Sequence, residues 1–263
     1  MVCPNLNLAD LCCRRRANWA AGVERRVSEQ SNVINFRKSK PAPAVQLPMI
    51  VWAVAGLIIA IFGGLQLAGP TAETFAVYDF AFIPARFGPA PFEQAVGAKW
   101  WSMLTYGFLH ASWSHVLLNA LWLAVFSKPV QAYFGNLRYL LILATGIIAG
   151  ALITLLVHWG DPLILVGISA GVSALLAASI PLTYGRGRVL RPSELISNRS
   201  ALIFSLVWLA MTFFTGASQY VSNSFVPATN IAWEAHLAGF FAGLIIFYLL
   251  EAARSNSLKP TLH

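Results

Sequence analysis

Runs without Asp, Glu, Lys or Arg alternate along this chain with short polar or basic stretches. About 20 apolar residues are needed to cross a hydrocarbon core as a helix. Six apolar segments emerge on that criterion, the fifth of them short, near residues 47–68, 113–133, 138–157, 163–182, 201–215 and 231–250. The fifth has the weakest boundary, because its end fades into a polar stretch. The second is placed from its caps: Ser112 and Ser114 are residue types that bond the free N–H groups of a helix start. That span therefore begins near Trp113. The preceding segment, Trp100 to His110, carries tryptophan and tyrosine rings and is predicted to lie at the membrane interface.

Composition strengthens this pattern. Hydrophobic residues make up 57% of the 263 and charged residues 11%, against about 25% charged in a soluble domain. The expected fold is an all-α polytopic membrane protein of six helices. The loop at about 69–112 is too apolar for a plain linker, with Phe80, Phe82, Ile83, Pro84, Phe87, Pro89, Pro91 and Phe92. It is expected to pack on the membrane surface or into the bundle.

Charge then orients the chain. The net charge is +8, and residues 1–40 hold Arg14, Arg15, Arg16, Arg25, Arg26, Arg37, Lys38 and Lys40. A basic stretch just ahead of a first span is an orientation signal, and nucleic-acid binding is set aside. Alternate loops repeat the bias: Lys128 and Arg138, then Arg186, Arg188, Arg191 and Arg199, then Arg254 and Lys259 on one side. The other side has only Arg86 and Lys99. Both termini are expected in the cytoplasm, with the large first loop outside, in a bacterial inner membrane. The chain divides into a flexible basic leader (1–44), a six-span domain (45–252) and a cytoplasmic tail (253–263). Cys3, Cys12 and Cys13 all lie in the leader, with neither a disulfide framework nor a zinc pattern.

Polar groups inside spans are costly and so are functional candidates. The fourth span opens Gly167-Ile168-Ser169-Ala170-Gly171. Glycines on both sides of a serine remove bulk and admit a second backbone or a substrate. The sixth span holds Ala235-His236-Leu237-Ala238-Gly239, then Gly243. A Gly-x-x-x-Gly face permits close helix approach. Docked on the small stripe Ser169, Ser173 and Ala177, it would bring His236 towards Ser169 at a similar depth. His236 is then a general base for a serine nucleophile. Glu234 points to the opposite side of the helix and Asp161 lies in a loop, so the reading is a dyad without an acid. His115 and Asn119 share a face of the second span and offer N–H donors to an oxyanion, beside the Ser169 N–H. His110 ends the surface segment just before them.

Together, His110-x4-His115-x3-Asn119, Gly167-x-Ser169 and Ala235-His236-x2-Gly239-x3-Gly243 resemble the rhomboid family of intramembrane serine proteases. The resemblance covers about residues 45–252. It implies a six-transmembrane-helix bundle with a cavity opening outward and a large first outer loop. It also implies Ser169 as nucleophile, His236 as base, and His115 with Asn119 around the oxyanion; His110 is a further candidate for oxyanion or substrate binding. The implied activity is endopeptidase cleavage of single-span membrane proteins within the lipid bilayer, with no metal and no organic cofactor. Some family features differ: Trp101-Ser102 stands where Trp-Arg is familiar, Ser173 where several members carry Tyr, and Gln131 where an acid often tethers the first loop.

Two other classes compete. A catalytically silent relative would bind membrane segments without cutting them, but such a protein typically lacks the serine or the histidine. A haem protein or transporter would need paired histidines or acids within the spans, and His115 with His236 do not make such a set. The uncharged stretch Gly216–Asn230 is expected to cap the cavity and move to admit substrate.

Overall fold

The computed structural model describes residues 47–89, 97–221 and 232–257. The leader, and most of the stretch read above as a movable cap, lie outside the described residues. Within them the helices are α1 (Met49–Ala68), α2 (Pro70–Phe80), α3 (Ala98–Thr105), α4 (Trp113–Val157), α5 (Ser169–Thr183), α6 (Pro192–Ser197), α7 (Arg199–Val221) and α8 (Trp233–Ser257). Short 3₁₀ turns sit at Pro84–Phe87 and Tyr106–Phe108. No strand occurs among the described residues; Phe82 and Leu165 form one isolated antiparallel bridge.

Helices α1, α4 and α8 are long and apolar enough to cross a membrane, while α5 and the apolar part of α7 are shorter. Helix α4 begins at Trp113, and the Ser112 hydroxyl accepts the His115 N–H at 3.2 Å. Its 45 residues are helical except at Gly135, whose φ of 78° and ψ of 178° break the run. A side chain at that φ would clash with its own backbone, which is why glycine marks the break.

The fourth predicted segment differs from expectation. Helix begins only at Ser169, not near residue 163, and its 15 residues span roughly 22 Å at 1.5 Å per residue. The missing length is supplied by non-helical chain before it, where Leu165 exchanges two backbone hydrogen bonds with Phe82 at 2.9 and 3.1 Å. That exchange satisfies backbone groups that a helix would otherwise satisfy internally.

Helix α5 is the centre of the fold. Every residue from Ala170 to Pro181 is buried, as expected for a helix apolar on all sides. Both α4 and α8 pack on it through glycines. A Cβ built on Gly239 would run into the Ala170 carbonyl, and one on Gly243 into the Ala174 backbone. On α4, Gly146 abuts Ala174 and Ala170, and Gly150 abuts Ala170 and the Tyr106 hydroxyl. Large apolar side chains cover the outer surface instead, among them Leu117, Leu137, Leu156, Leu206 and Leu249. An exposed apolar surface this broad needs lipid rather than water.

The described part of the first loop packs into the bundle; Pro91 and Phe92 lie outside the described residues. Phe82 is fully buried in the main core, with its ring 6.2 Å from that of Tyr106. The loop is tied by hydrogen bonds that do not use residue 102 or 131. The buried Arg86 guanidinium donates to the carbonyls of Ala81, at 2.7 Å, and of Tyr78. Trp101 Nε1 donates to the Asp79 carbonyl at 2.8 Å, and the Thr105 hydroxyl to that of Phe80 at 2.9 Å. Gln131 instead bonds Asn136 beside the α4 break at 2.8 Å, and Ser102 is fully buried.

Candidate active site

Ser169 is the first residue of α5 and follows Gly167, whose φ of 112° strongly favours glycine. The turn is held from the first loop, where the Tyr106 carbonyl accepts the Gly167 N–H at 3.0 Å. The Tyr106 side chain is buried below it and donates to the Ile147 carbonyl at 2.7 Å. Sequence reasoning passed over Tyr106, because its place depends on a contact 61 residues away in the chain.

The first i→i−4 bond of α5 is made by Val172 N–H to Ile168 O at 3.0 Å. The N–H groups of Ser169, Ala170 and Gly171 come before it. They give the serine end of the helix a partial positive charge. His236 lies in the first turn of α8, where its N–H bonds Ala232 O at 3.4 Å. Serine and imidazole thus both sit at helix starts.

The docking face corrects the sequence reading by one residue. Gly239 and Gly243 meet Ala170 and Ala174, not the stripe Ser169, Ser173 and Ala177. One position is about 100° of rotation on a helix of 3.6 residues per turn. That rotation lets the alanine stripe take the backbone contact and leaves Ser169 half-buried at a cavity. Ser173 is fully buried, and its hydroxyl has no hydrogen-bond partner among the described residues.

A cavity of about 550 Å³ is lined by Tyr106, His110, His115, Ser169, Ala170 and His236. A second, of about 280 Å³, lies on the α7 side and is lined by His115, Asn119, Ser169, Trp208 and His236. Ser169, His115 and His236 border both hollows. A Cβ on Gly167 would sit 2.8 Å from the His115 ring and 3.8 Å from Asn119 Nδ2. The absence of a side chain at 167 is thus what lets the His115 ring lie against the serine turn, with Asn119 at ordinary contact distance beside it. The His110 ring is 5.0 Å from that of His115, edge to face. Burial, and then the neighbouring His115 ring, push the His110 imidazole down to about 4. It is therefore uncharged at neutral pH.

Both acids weighed near His236 are engaged elsewhere. Glu234 Oε1 is 2.8 Å from His158 Nε2, and Asp161 Oδ2 is 3.2 Å from His158 Nδ1. A hydroxyl, an imidazole and several N–H donors around one cavity are the groups that acyl transfer requires.

The Rhomboid domain family model matches residues 97–253, well over half of the chain. This chain belongs to the rhomboid family. Rhomboids are integral membrane proteins, in keeping with the three membrane-length apolar helices seen here. Rhomboid-related protein 2 of mouse is 30% identical over 178 residues, which are 66% of this chain and 54% of that protein. This rhomboid thus matches only about half the length of the mouse relative. Rhomboid protease GlpG of Pectobacterium atrosepticum is 26% identical over 235 residues, 88% of this chain and 72% of the relative. A putative rhomboid protease of Bacillus subtilis, YdcA, is 29% identical over 154 residues, 57% of this chain and 67% of that one.

Proposed function

We propose that this rhomboid is an intramembrane serine endopeptidase that cleaves single-span membrane proteins with a Ser169–His236 dyad. The observation that carries this reading is the cavity shared by the start of α5 and the first turn of α8. His236 takes the Ser169 proton as the hydroxyl attacks the scissile carbonyl, and returns it to the leaving amine. Water then enters the cavity and hydrolyses the acyl-enzyme, with His236 again the base. The oxyanion is met by the Ser169 N–H, the Asn119 amide and the His115 ring, at the positive end of α5. His110 contributes to the wall that receives the substrate chain.

The bundle crosses the bilayer six times in this reading. Forty-five residues of α4 would extend about 67 Å, over twice the ~30 Å hydrocarbon thickness, so Gly135 divides two crossings. With α1, α5, α7 and α8 the count is six, both termini are cytoplasmic, and the membrane is a bacterial inner membrane. The basic residues Lys128, Arg138, Arg186, Arg188, Arg191, Arg199, Arg254 and Lys259 support that orientation.

A fluorophosphonate probe tests the reading. Detergent-purified protein is expected to become labelled on the peptide containing Ser169. A folded wild type that stays unlabelled, also by a smaller electrophile, would favour the silent binder of membrane segments. The oxyanion assignment has its own test. Asn119→Ala is expected to lower kcat by about 10²–10³-fold with little change in KM, because the donor acts on charge that develops in the transition state. An unchanged kcat would remove Asn119 from the hole.

A further inference from the structure

At the outer end of the bundle, His158 stands between two carboxylates from different elements. It caps the C-terminus of α4. Its Nδ1 faces Asp161 in the following turn at 3.2 Å, and its Nε2 faces Glu234 in the first turn of α8 at 2.8 Å. A neutral imidazole has one donor and one acceptor nitrogen, so it can serve only one carboxylate. Both contacts are met as hydrogen bonds only when each ring nitrogen donates. The helix ends suit that arrangement. A cation is stabilised at the C-terminus of α4 and an anion at the N-terminus of α8.

We infer that His158 is a positioning residue, which clasps Glu234 and so fixes the start of the helix that presents His236 to Ser169. The inference rests on the dyad reading given above. Glu234 is two residues from His236 and turned away from it, so it acts through the helix rather than on the substrate. Its side chain is only 10% exposed, and its second oxygen has no hydrogen-bond partner among the described residues. His158 is thus the partner that compensates this buried carboxylate. Without it, Glu234 must swing towards water, because an uncompensated buried charge is costly. That movement shifts the first turn of α8.

The clasp also reaches the serine side. The Asp161 N–H bonds the His158 carbonyl at 3.0 Å, and the Asp161 carbonyl accepts the Ala85 N–H at 2.8 Å. Trp159 packs on Phe87 of the same first loop, with ring centroids 6.5 Å apart. The segment from 158 to 168 therefore enters Ser169 from one anchored end. One imidazole joins that anchor to the helix carrying the base.

The test compares wild type with Ser169→Ala, His158→Ala, Glu234→Ala, the His158→Ala/Glu234→Ala double variant and Glu234→Gln. Initial rates are measured on a single-span reporter protein in liposomes, and amide hydrogen exchange is followed over residues 233–237. Either single alanine variant is expected to lower kcat roughly 10–100-fold with KM within about twofold, since small misplacements of reacting groups cost rate steeply. The double variant should be no worse than the worse single, because the two residues act as a unit. Glu234→Gln keeps an oxygen for the His158 N–H and should recover most of the rate. Exchange in the first turn of α8 should quicken in both alanine variants. An unchanged kcat, unchanged exchange, or losses that multiply in the double variant would each overturn the clasp. If His158→Ala does not fold, the contrast between Glu234→Ala and Glu234→Gln decides it. If wild type is no faster than Ser169→Ala, the protease reading fails, and exchange over 233–237 alone judges the clasp.

Discussion

Replacing Ser169 by Ala is expected to reduce cleavage of a membrane-spanning reporter by about 10⁴–10⁶-fold, the usual cost of removing a nucleophile. The fold should remain. Ser169 is only half-buried at a cavity, and α5 is held by the fully packed residues from Ala170 onwards. Alanine is also the best helix former, so the first turn loses nothing intrinsic. Thermal unfolding in detergent should move by no more than about 2 °C, in line with a change below ~0.5 kcal/mol. His236→Ala should lose a similar share of the rate, because neither member of a dyad works without the other. Its stability cost is larger, since a ring leaves the cavity wall. Residual cleavage within tenfold of wild type in Ser169→Ala would end the assignment of this serine as nucleophile.

Much of the fold was legible because lipid imposes simple rules. Charge avoids the hydrocarbon core, so the apolar runs stood out; the Ser112 cap marked the start of α4, and Gly135 falls where the chain was expected to turn. The candidate site was legible for a related reason. Ser169, His236, His115 and Asn119 are polar groups in apolar segments, and there are few of them. What spacing could not supply was rotation about the helix axis. Ser169-Ser173-Ala177 and Ala170-Ala174-Ala178 are both small stripes with a period of four. Only the packing against Gly239 and Gly243 selects the second. The late start of α5 was hidden too, because Pro162 to Ile168 is mostly apolar and reads as span whether helical or extended. Arg86 and His158 were missed for a different reason. Arg86 was counted as a loop charge, yet its partners are backbone carbonyls, which no side-chain pattern reveals. His158 finds Glu234 76 residues further along the chain.

The close seam between α5 and α8 leads to the other large expected effect. Gly239→Val should lower stability by about 3 kcal/mol or more, at the upper end of overpacking costs, and should remove most activity in whatever protein still folds. Even a single added carbon at this position would run into the Ala170 carbonyl and lie only 3.1 Å from its Cα. Those are backbone atoms of a helix buried on every side, so they cannot move aside as a flexible side chain would. The helices must separate instead. Separation also opens the Gly243–Ala174 contact one turn along, and it carries His236, three residues before Gly239, away from Ser169. A shift of about 1 Å between reacting groups can cost roughly 10²-fold in rate, so rate should fall further than stability alone explains. Gly64→Ala on α1 is the matching control, because a Cβ there meets nothing within 4 Å. It removes a helix-interior glycine and should be neutral or stabilising by up to ~1 kcal/mol. Melting temperatures and cleavage rates of both variants, measured in one detergent, separate the two cases. A Gly239→Val protein that melts and cleaves like wild type would mean that the seam is not in backbone contact, and the proposed pairing of His236 with Ser169 would lose its support.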